Sequence, residues 1–280
     1  MYRFFRLFPQ RGQLVNPFDG ENFTFITDNL FDGTGLHELV PDLCYFMIKH
    51  RNEKALKNIM AKFADGGNSK MRLINGLYEL NFAKRPQKAV QIFKELNAEK
   101  PDNKRVLSLL ARSYFESEQY ENAAKCYETL HNNEPQNTTV ALNMCVALSK
   151  AKKYDEAVNM LYRLDIECPD SMPVKRVLAW TLMGQGKYEQ AEKEYNRLTA
   201  DNDVENGDWL NAGYCQWLKG NTPEAINRFK NFMANRNIHS PKREHEISYE
   251  FTNDKDFLYE HGINDTDIHL MADIIDGATE

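Results

Sequence analysis

Histidines are concentrated near the end of the chain, in a stretch where a metal site is conceivable. Four of the seven, His239, His245, His261 and His269, fall there, and Asp265 lies between two of them. Imidazole and carboxylate groups bind zinc, but known zinc motifs hold their ligands at tight, helix-phased spacings that these residues lack. We therefore predict no metal site and no cofactor.

Motifs for nucleophilic or phosphate chemistry are absent from the sequence. It contains no glycine-rich phosphate loop, no GxSxG nucleophile elbow and no HExxH. Carboxylates such as Glu121, Asp155 and Glu189 stand where helices are expected to begin, and there they complement the helix dipole. We predict no catalytic residue and expect that the chain is not an enzyme.

Cysteine usage and net charge restrict the cellular compartment and the classes of partner that we expect for this chain. The five cysteines are an odd number, lie far apart and form no pair at metal-ligand spacing, which indicates reduced, mostly buried thiols in a cytoplasmic protein. The net charge of −6 provides no basic excess for nucleic acid or an anionic membrane. No apolar run approaches the roughly 18 to 20 residues that span a bilayer. We expect no nucleic-acid partner and no membrane partner.

An internal repeat organises most of the chain. Alanines recur every 34 residues, and four residues after each one stands a large apolar side chain, one helical turn further along the same helix face. The alanines are Ala55, Ala89, Ala123, Ala157, Ala191 and Ala225, and the large residues are Ile59, Phe93, Tyr127, Leu161, Tyr195 and Phe229. Pro101, Pro135 and Pro169 follow three of the alanines by twelve residues and are expected to end helices. The pattern predicts stacked helical hairpins.

This repeat resembles the tetratricopeptide repeat (TPR), a 34-residue unit of two antiparallel helices. The second unit carries Leu107, Leu110, Ala111, Tyr114, Tyr120, Ala123, Tyr127 and Pro135 at the family's signature places, whereas Gln216, Asp203 and Asn237 depart from the pattern in later units. The resemblance implies an all-α fold, a right-handed α-α superhelix that is a TPR-type solenoid of helical hairpins. Five units are counted over residues 70–239: 70–103, 104–137, 138–171, 172–205 and 206–239.

The regions outside these units are expected to complete the array. Residues 36–69 keep the repeat's phase and are interpreted as a degenerate helical hairpin. Residues 1–35 are a Phe-rich N-terminal extension, interpreted either as a cover for the first hairpin or as the remainder of a helix from a longer repeat protein. Residues 240–280 hold eleven acidic residues and are expected to form an acidic helical C-terminal cap, with Asp254 and Asp265 as N-caps. An acidic docking tail for a basic partner is the alternative.

The family resemblance also implies a binding site. Certain first-helix positions tend to line the concave groove of TPR proteins, and counting along each unit gives nine candidate groove residues in this chain: Asn75, Tyr78, Arg112, Asn143, Arg176, Trp180, Asn211, Tyr214 and Trp217. Asparagine pairs with a peptide backbone, Arg176 suggests an acidic ligand, and tyrosine, tryptophan and arginine often carry interface energy. Packing between adjacent first helices is the alternative role for the large residues among them.

The resemblance implies a protein-interaction scaffold that binds a peptide or partner segment in this groove. The carboxylate clamp of the chaperone-binding branch is not reproduced, since Ile74 and Tyr78, or Ser108 and Arg112, occupy its lysine and asparagine positions. One alternative is a regulatory or substrate-docking arm of a larger enzyme. An RNA-binding helical repeat is a further alternative, against which the acidity of the chain and its strict 34-residue phase both speak.

Overall fold

The computed structural model describes residues 40–62, 69–235 and 246–277, and within these residues it is built of helices without a β-strand. The Phe-rich extension, His239 and His245 lie outside the described residues. In chain order the helices are α1 (Val40–Lys49), α2 (Glu53–Lys62), α3 (Ser69–Asn81), α4 (Pro86–Glu99), α5 (Lys104–Glu116), α6 (Tyr120–Asn133), α7 (Thr138–Lys150), α8 (Tyr154–Glu167), α9 (Met172–Gly184), α10 (Tyr188–Thr199), α11 (Asn206–Leu218), α12 (Thr222–Ala234), α13 (Ile247–Asn253), α14 (Lys255–Glu260) and α15 (Asp265–Asp276). The predicted all-α array of helical hairpins is confirmed.

The chain divides into two compact units, one ending at Gln119 and the other beginning at Tyr120. The N-terminal unit contains α1 to α5, and each helix contacts the next along most of this unit. In it, α1 and α2 form the hairpin that the sequence only weakly indicated, and Leu43, Ala55 and Ile59 are all buried. Their core extends to Met47 and Tyr78, so the first hairpin packs on α3.

The C-terminal unit contains α6 to α15. Successive helices from α6 to α12 contact one another as antiparallel neighbours, and the first helices α7, α9 and α11 also contact each other in succession. Two side-chain links join these three helices. Ser149 Oγ lies 2.8 Å from Thr181 Oγ1 between α7 and α9, and Arg176 Nε donates to Asp208 Oδ1 at 2.9 Å between α9 and α11. The first helices therefore form one continuous layer.

The periodic alanines and their large partners are buried throughout both units. Helix ends also follow the sequence, because α4, α6 and α8 each end two residues before Pro101, Pro135 or Pro169. Close approach is visible at Gly213 of α11, where an added Cβ would lie 2.4 Å from Cε1 of Phe229 on α12. Small residues thus let large ones from the paired helix reach the backbone, as the pattern predicted.

Each hairpin turn places one residue in the left-handed backbone region. Arg51 takes this conformation in the first hairpin, and in the five later hairpins the residues are spaced by the 34-residue period: Lys84, Glu118, Lys152, Gly186 and Gly220. At Lys152 the turn is a Schellman motif, since Lys152 N donates to Ser149 O and Lys153 N donates to Leu148 O. Glycine relieves the steric cost of this conformation in the last two units, whereas arginine, lysine and glutamate bear it in the others.

Of the two predicted N-caps of the C-terminal helices, Asp254 is at the N-cap position of α14, whereas Asp265 is not the N-cap of α15. Helix α15 is capped by Asn264, whose Oδ1 accepts hydrogen bonds from the backbone N–H groups of Thr266 and Asp267. Asp265 is therefore the first helical residue, and the prediction that it is the N-cap is wrong. Asp254 does precede α14, but its side chain makes no capping hydrogen bond and accepts one from Tyr214 instead.

Candidate functional site

The candidate groove residues of the N-terminal unit differ in accessibility. Asn75 on α3 and Arg112 on α5 are exposed, and Arg112 Nε donates to Glu116 Oε1 at 2.8 Å. Tyr78 is buried, and its hydroxyl donates to Glu53 Oε1 at 3.2 Å. Tyr78 therefore joins α3 to the first hairpin, which is the packing role left open by the sequence.

The remaining candidates lie on the layer formed by α7, α9 and α11, whose groove-position side chains we call the first-helix surface. Asn143 on α7 is exposed, while Trp180 on α9 and Asn211 on α11 are half-buried. These three residues come from three consecutive first helices. They are the candidates that the structure leaves accessible on this surface.

A cation lies against the accessible tryptophan. The Nζ atom of Lys150, an exposed residue at the end of α7, is 4.7 Å from the centre of the Trp180 ring. A lysine at this distance is attracted by the ring quadrupole, and the pair presents a combined cationic and aromatic face. Lys150 was not among the predicted residues, although it is the thirteenth residue of the third unit (138–171), a first-helix position that the family resemblance also places along the groove.

Arg176 is engaged by the chain's own carboxylates. Its guanidinium binds Asp208 in a bidentate manner, with Nε to Oδ1 at 2.9 Å and Nη2 to Oδ2 at 2.9 Å. Nη1 pairs with Glu205 Oε1 at 2.7 Å, and Nη2 also donates to the carbonyl oxygen of Asp203. The Arg176 side chain is only 20% exposed and that of Asp208 only 4%. Arg176 thus fixes the start of α11 through carboxylates of the same chain, and its binding of an acidic partner stays a prediction.

Tyr214 and Trp217 lie beneath the C-terminal helices. Tyr214 is 1% exposed, and its hydroxyl donates to Asp254 Oδ2 at 2.9 Å. Phe251 of α13 packs on both rings, with centroid distances of 5.9 Å to Tyr214 and 5.3 Å to Trp217. Both residues sit at counted groove positions, but the chain itself covers them. Whether they also bind a partner stays a prediction.

The C-terminal segment, residues 251–261, reaches further along the first-helix surface. Lys152 Nζ pairs with Glu260 Oε1 at 2.8 Å, just beyond the end of α7. His261 Nε2 lies 3.2 Å from the carbonyl oxygen of Gly184, the last residue of α9. The segment from Phe251 to His261 therefore contacts the ends of all three first helices.

Burial alters the protonation of the Tyr214 and Asp254 pair. It raises the pKa of the Asp254 carboxyl, an effect that the Tyr214 hydroxyl and the nearby Lys150 ammonium partly offset. It also raises the pKa of Tyr214, so its hydroxyl donates as a neutral group. The carboxylate is thus held in a partly desolvated place, where its charge is less stable than in water.

The described residues contain no group of three or more histidine, cysteine, aspartate or glutamate side chains that could hold a metal ion. The five cysteines are free thiols, and Cys44, Cys145 and Cys215 are buried. Burial raises the pKa of each of these three thiols to about 12, which suppresses the reactive thiolate. Among the helices that the structure describes, none combines the length and apolarity needed to cross a membrane.

In comparisons with known protein families and sequences, the matches fall on the repeats. A family model described as a tetratricopeptide repeat matches residues 83–145 and 148–212. Intraflagellar transport protein 70A2 of Rattus norvegicus is 35% identical over 89 residues, which cover 32% of this chain and 13% of that protein. The matched segment therefore spans a small part of that relative.

Two solved structures show the same fold at low sequence identity. A tetratricopeptide repeat protein from Parabacteroides merdae ATCC 43184 aligns with a TM-score of 0.62 and 14% identity, covering 86% of this chain and 90% of that one. MamA of Desulfovibrio magneticus RS-1 aligns with a TM-score of 0.51 and 16% identity, covering 60% of this chain and 95% of that one. The matched family model and the buried 34-residue pattern identify residues 83–145 and 148–212 as tetratricopeptide repeats, and the two solved structures show the same fold.

Proposed function

We propose that this chain is a protein-interaction scaffold whose first-helix surface binds a peptide or helical segment of a partner protein. The repeats support a role in protein interaction generally. The observation that carries the finer proposal is the accessible pair of Trp180 and Lys150, which lies between Asn143 and Asn211 on consecutive first helices.

The accessible residues offer complementary contacts to a peptide. Asn143 and Asn211 have amide groups that both donate and accept hydrogen bonds, which suits a peptide backbone. Trp180 offers a flat apolar face, and Lys150 adds a positive charge beside it. The partner segment is therefore expected to carry an apolar or aromatic side chain close to an acidic one.

Several contacts must act together for a useful affinity. A micromolar complex requires roughly 8 kcal/mol, whereas one hydrogen bond contributes only about 0.5 to 1.5 kcal/mol net. A cation–π pair that a partner desolvates contributes about 2 kcal/mol, so burial of apolar area on Trp180 must supply much of the remainder. Trp180 should therefore be the most sensitive single position.

The other candidates take different parts in this proposal. Arg176 positions α11 through Asp208 and supports the surface from within. Tyr214 and Trp217 are available to a partner only if the C-terminal segment moves away from them. Asn75 and Arg112 are exposed on the N-terminal unit and remain proposed contacts there.

The test is selection of peptides from a displayed library against the full chain, followed by calorimetry with synthetic versions of the selected peptides. Trp180→Ala should weaken binding at least tenfold. Tyr162→Ala is the matched control, because Tyr162 is 41% exposed on the second helix α8 and should leave affinity unchanged. Thermal melts of both variants separate lost binding from lost folding. Peptides that bind Trp180→Ala as tightly as the wild-type chain use another surface, and that result would exclude the proposed site.

A further inference from the structure

The chain's own C-terminal segment shows what kind of ligand fits the first-helix surface. Three of its side chains, Phe251, Asp254 and Leu258, are spaced by three and four residues, and Asp254 lies at the turn between α13 and α14. Phe251 and Leu258 are fully buried. The segment therefore buries two apolar side chains with a carboxylate between them.

The contacts of Phe251 and Asp254 are specific in shape and charge. Phe251 enters an aromatic slot, with ring centroids 5.3 Å from Trp217 and 5.1 Å from Phe229. Asp254 accepts the Tyr214 hydrogen bond at the edge of the same slot. Further along, Glu260 meets Lys152. An apolar anchor followed by acidic groups is also the chemistry that the neighbouring Lys150 and Trp180 pair favours.

We propose that the first-helix surface recognises a short segment of two helical turns that meet at an aspartate, with an aromatic anchor three residues before the aspartate and an aliphatic anchor four residues after it. Residues 251–261 occupy this place until such a partner segment displaces them. This inference rests on the proposed function. It adds the partner's chemistry, and it makes the C-terminal segment a competitor in the same molecule.

The structure of the segment suits displacement. Helices α13 and α14 have only seven and six residues, too short to be stable alone, so they depend on the surface beneath them. The Lys152 and Glu260 pair is well exposed on both sides and stabilises the contact little. Helix α15 contacts α12 as well as α13, so its contact with α12 can hold the end of the chain in place while α13 and α14 leave.

The first experiment supplies the segment as a separate molecule. A fluorescently labelled synthetic peptide with the sequence of residues 246–263 is titrated into the full chain and into its Leu258→Ala variant. The wild-type chain should bind the peptide weakly because its own copy competes. Leu258→Ala should bind it at least tenfold more tightly, because the tethered copy has lost an anchor that the peptide retains.

Two further variants keep this test interpretable. Leu270→Ala removes the same number of atoms from a leucine that is 60% exposed on α15, and it should bind the peptide as weakly as the wild-type chain. Glu260→Lys reverses an exposed charge without emptying the core, so it should raise peptide affinity by about twofold to fivefold even if Leu258→Ala fails to fold. Equal, weak binding by wild type, Glu260→Lys and any folded Leu258→Ala would overturn the inference.

Hydrogen exchange of residues 251–263 separates this inference from the proposed function. A library peptide that binds in a Trp180-dependent way should speed exchange there at least tenfold and compete with the 246–263 peptide. If it binds but changes neither exchange nor competition, the proposed function stands and the displacement idea is wrong. If no library peptide depends on Trp180, the proposed function is wrong, and so is the partner chemistry inferred from it. Binding of the 246–263 peptide to Leu258→Ala would then show only that the C-terminal segment can be exchanged.

Discussion

Gly213→Ala tests whether close helix approach is required at the aromatic slot. The added Cβ would lie 2.4 Å from Cε1 and 2.5 Å from Cδ1 of Phe229, well inside contact distance. Phe229 is fully buried, and its ring packs against Tyr214, Trp217 and Phe251. The ring therefore has nowhere to move without shifting either α12 or the C-terminal segment.

Two opposing effects determine how much Gly213→Ala changes the free energy of unfolding. Overpacking a core typically costs about 1 to 3 kcal/mol, whereas replacing glycine by alanine inside a helix gains about 1 kcal/mol from propensity. The control is Gly207→Ala in the same helix, where an added Cβ meets nothing within 4 Å. Since both variants share the propensity gain, Gly213→Ala should be less stable than Gly207→Ala by about 1 to 3 kcal/mol.

Urea unfolding followed by circular dichroism at the helix band measures this difference, and near-ultraviolet dichroism reports the aromatic packing directly. Gly213→Ala should unfold at a lower urea concentration than Gly207→Ala and should lose near-ultraviolet signal. The urea midpoint of Gly207→Ala should match or exceed that of the wild-type chain. Equal midpoints for the two alanine variants would refute the reasoning, because they would mean that Phe229 does not rest on the α11 backbone.

Four other substitutions or conditions have defined outcomes. Arg176→Ala should lower the free energy of unfolding by roughly 2 to 4 kcal/mol, because it leaves the buried Asp208 carboxylate unpaired; a normal urea midpoint would contradict this. Glu118→Gly should raise stability by about 0.5 to 1 kcal/mol in the same assay, since glycine accepts the left-handed turn without steric cost. Because their pKa is raised to about 12, Cys145 and Cys215 should stay unlabelled by a thiol reagent at mildly alkaline pH until denaturant is added, as mass spectrometry of labelled peptides would show. The raised pKa of Asp254 means that its contribution to stability is present at low pH and is lost as pH rises through that pKa, so Asp254→Asn should flatten the pH dependence of the melting temperature.

The sequence predicted the helical hairpins because their determinants are local and periodic. Ala225 and Phe229 lie one turn apart on a helix, and both are buried as their spacing indicated. The pairing of Arg176 could also have been predicted from the sequence, because its partner Asp208 lies 32 residues away, near the same place in the next unit. Counting positions within one unit concealed this pairing, because it treats each first helix separately.

The covering of Tyr214 could not be predicted in the same way. Its partner Asp254 lies 40 residues further along the chain and outside the repeat, so no periodic signal joins the two residues. Position counting identifies which side chains of a first helix point to one surface. It contains no information on whether a later segment of the chain returns to that surface.

The contacts of the C-terminal segment with earlier hairpins affect how the repeat array unfolds. Repeat arrays usually lose their terminal units one at a time, because each unit touches only its neighbours. Here His261 meets Gly184 across 77 residues, and Glu260 meets Lys152 across 108. Fraying of the last hairpin must therefore break contacts with the two hairpins before it. As long as the C-terminal segment stays docked, the three hairpins should unfold together as one cooperative block, with amide exchange rates that converge under denaturant in place of a gradient toward the C-terminus.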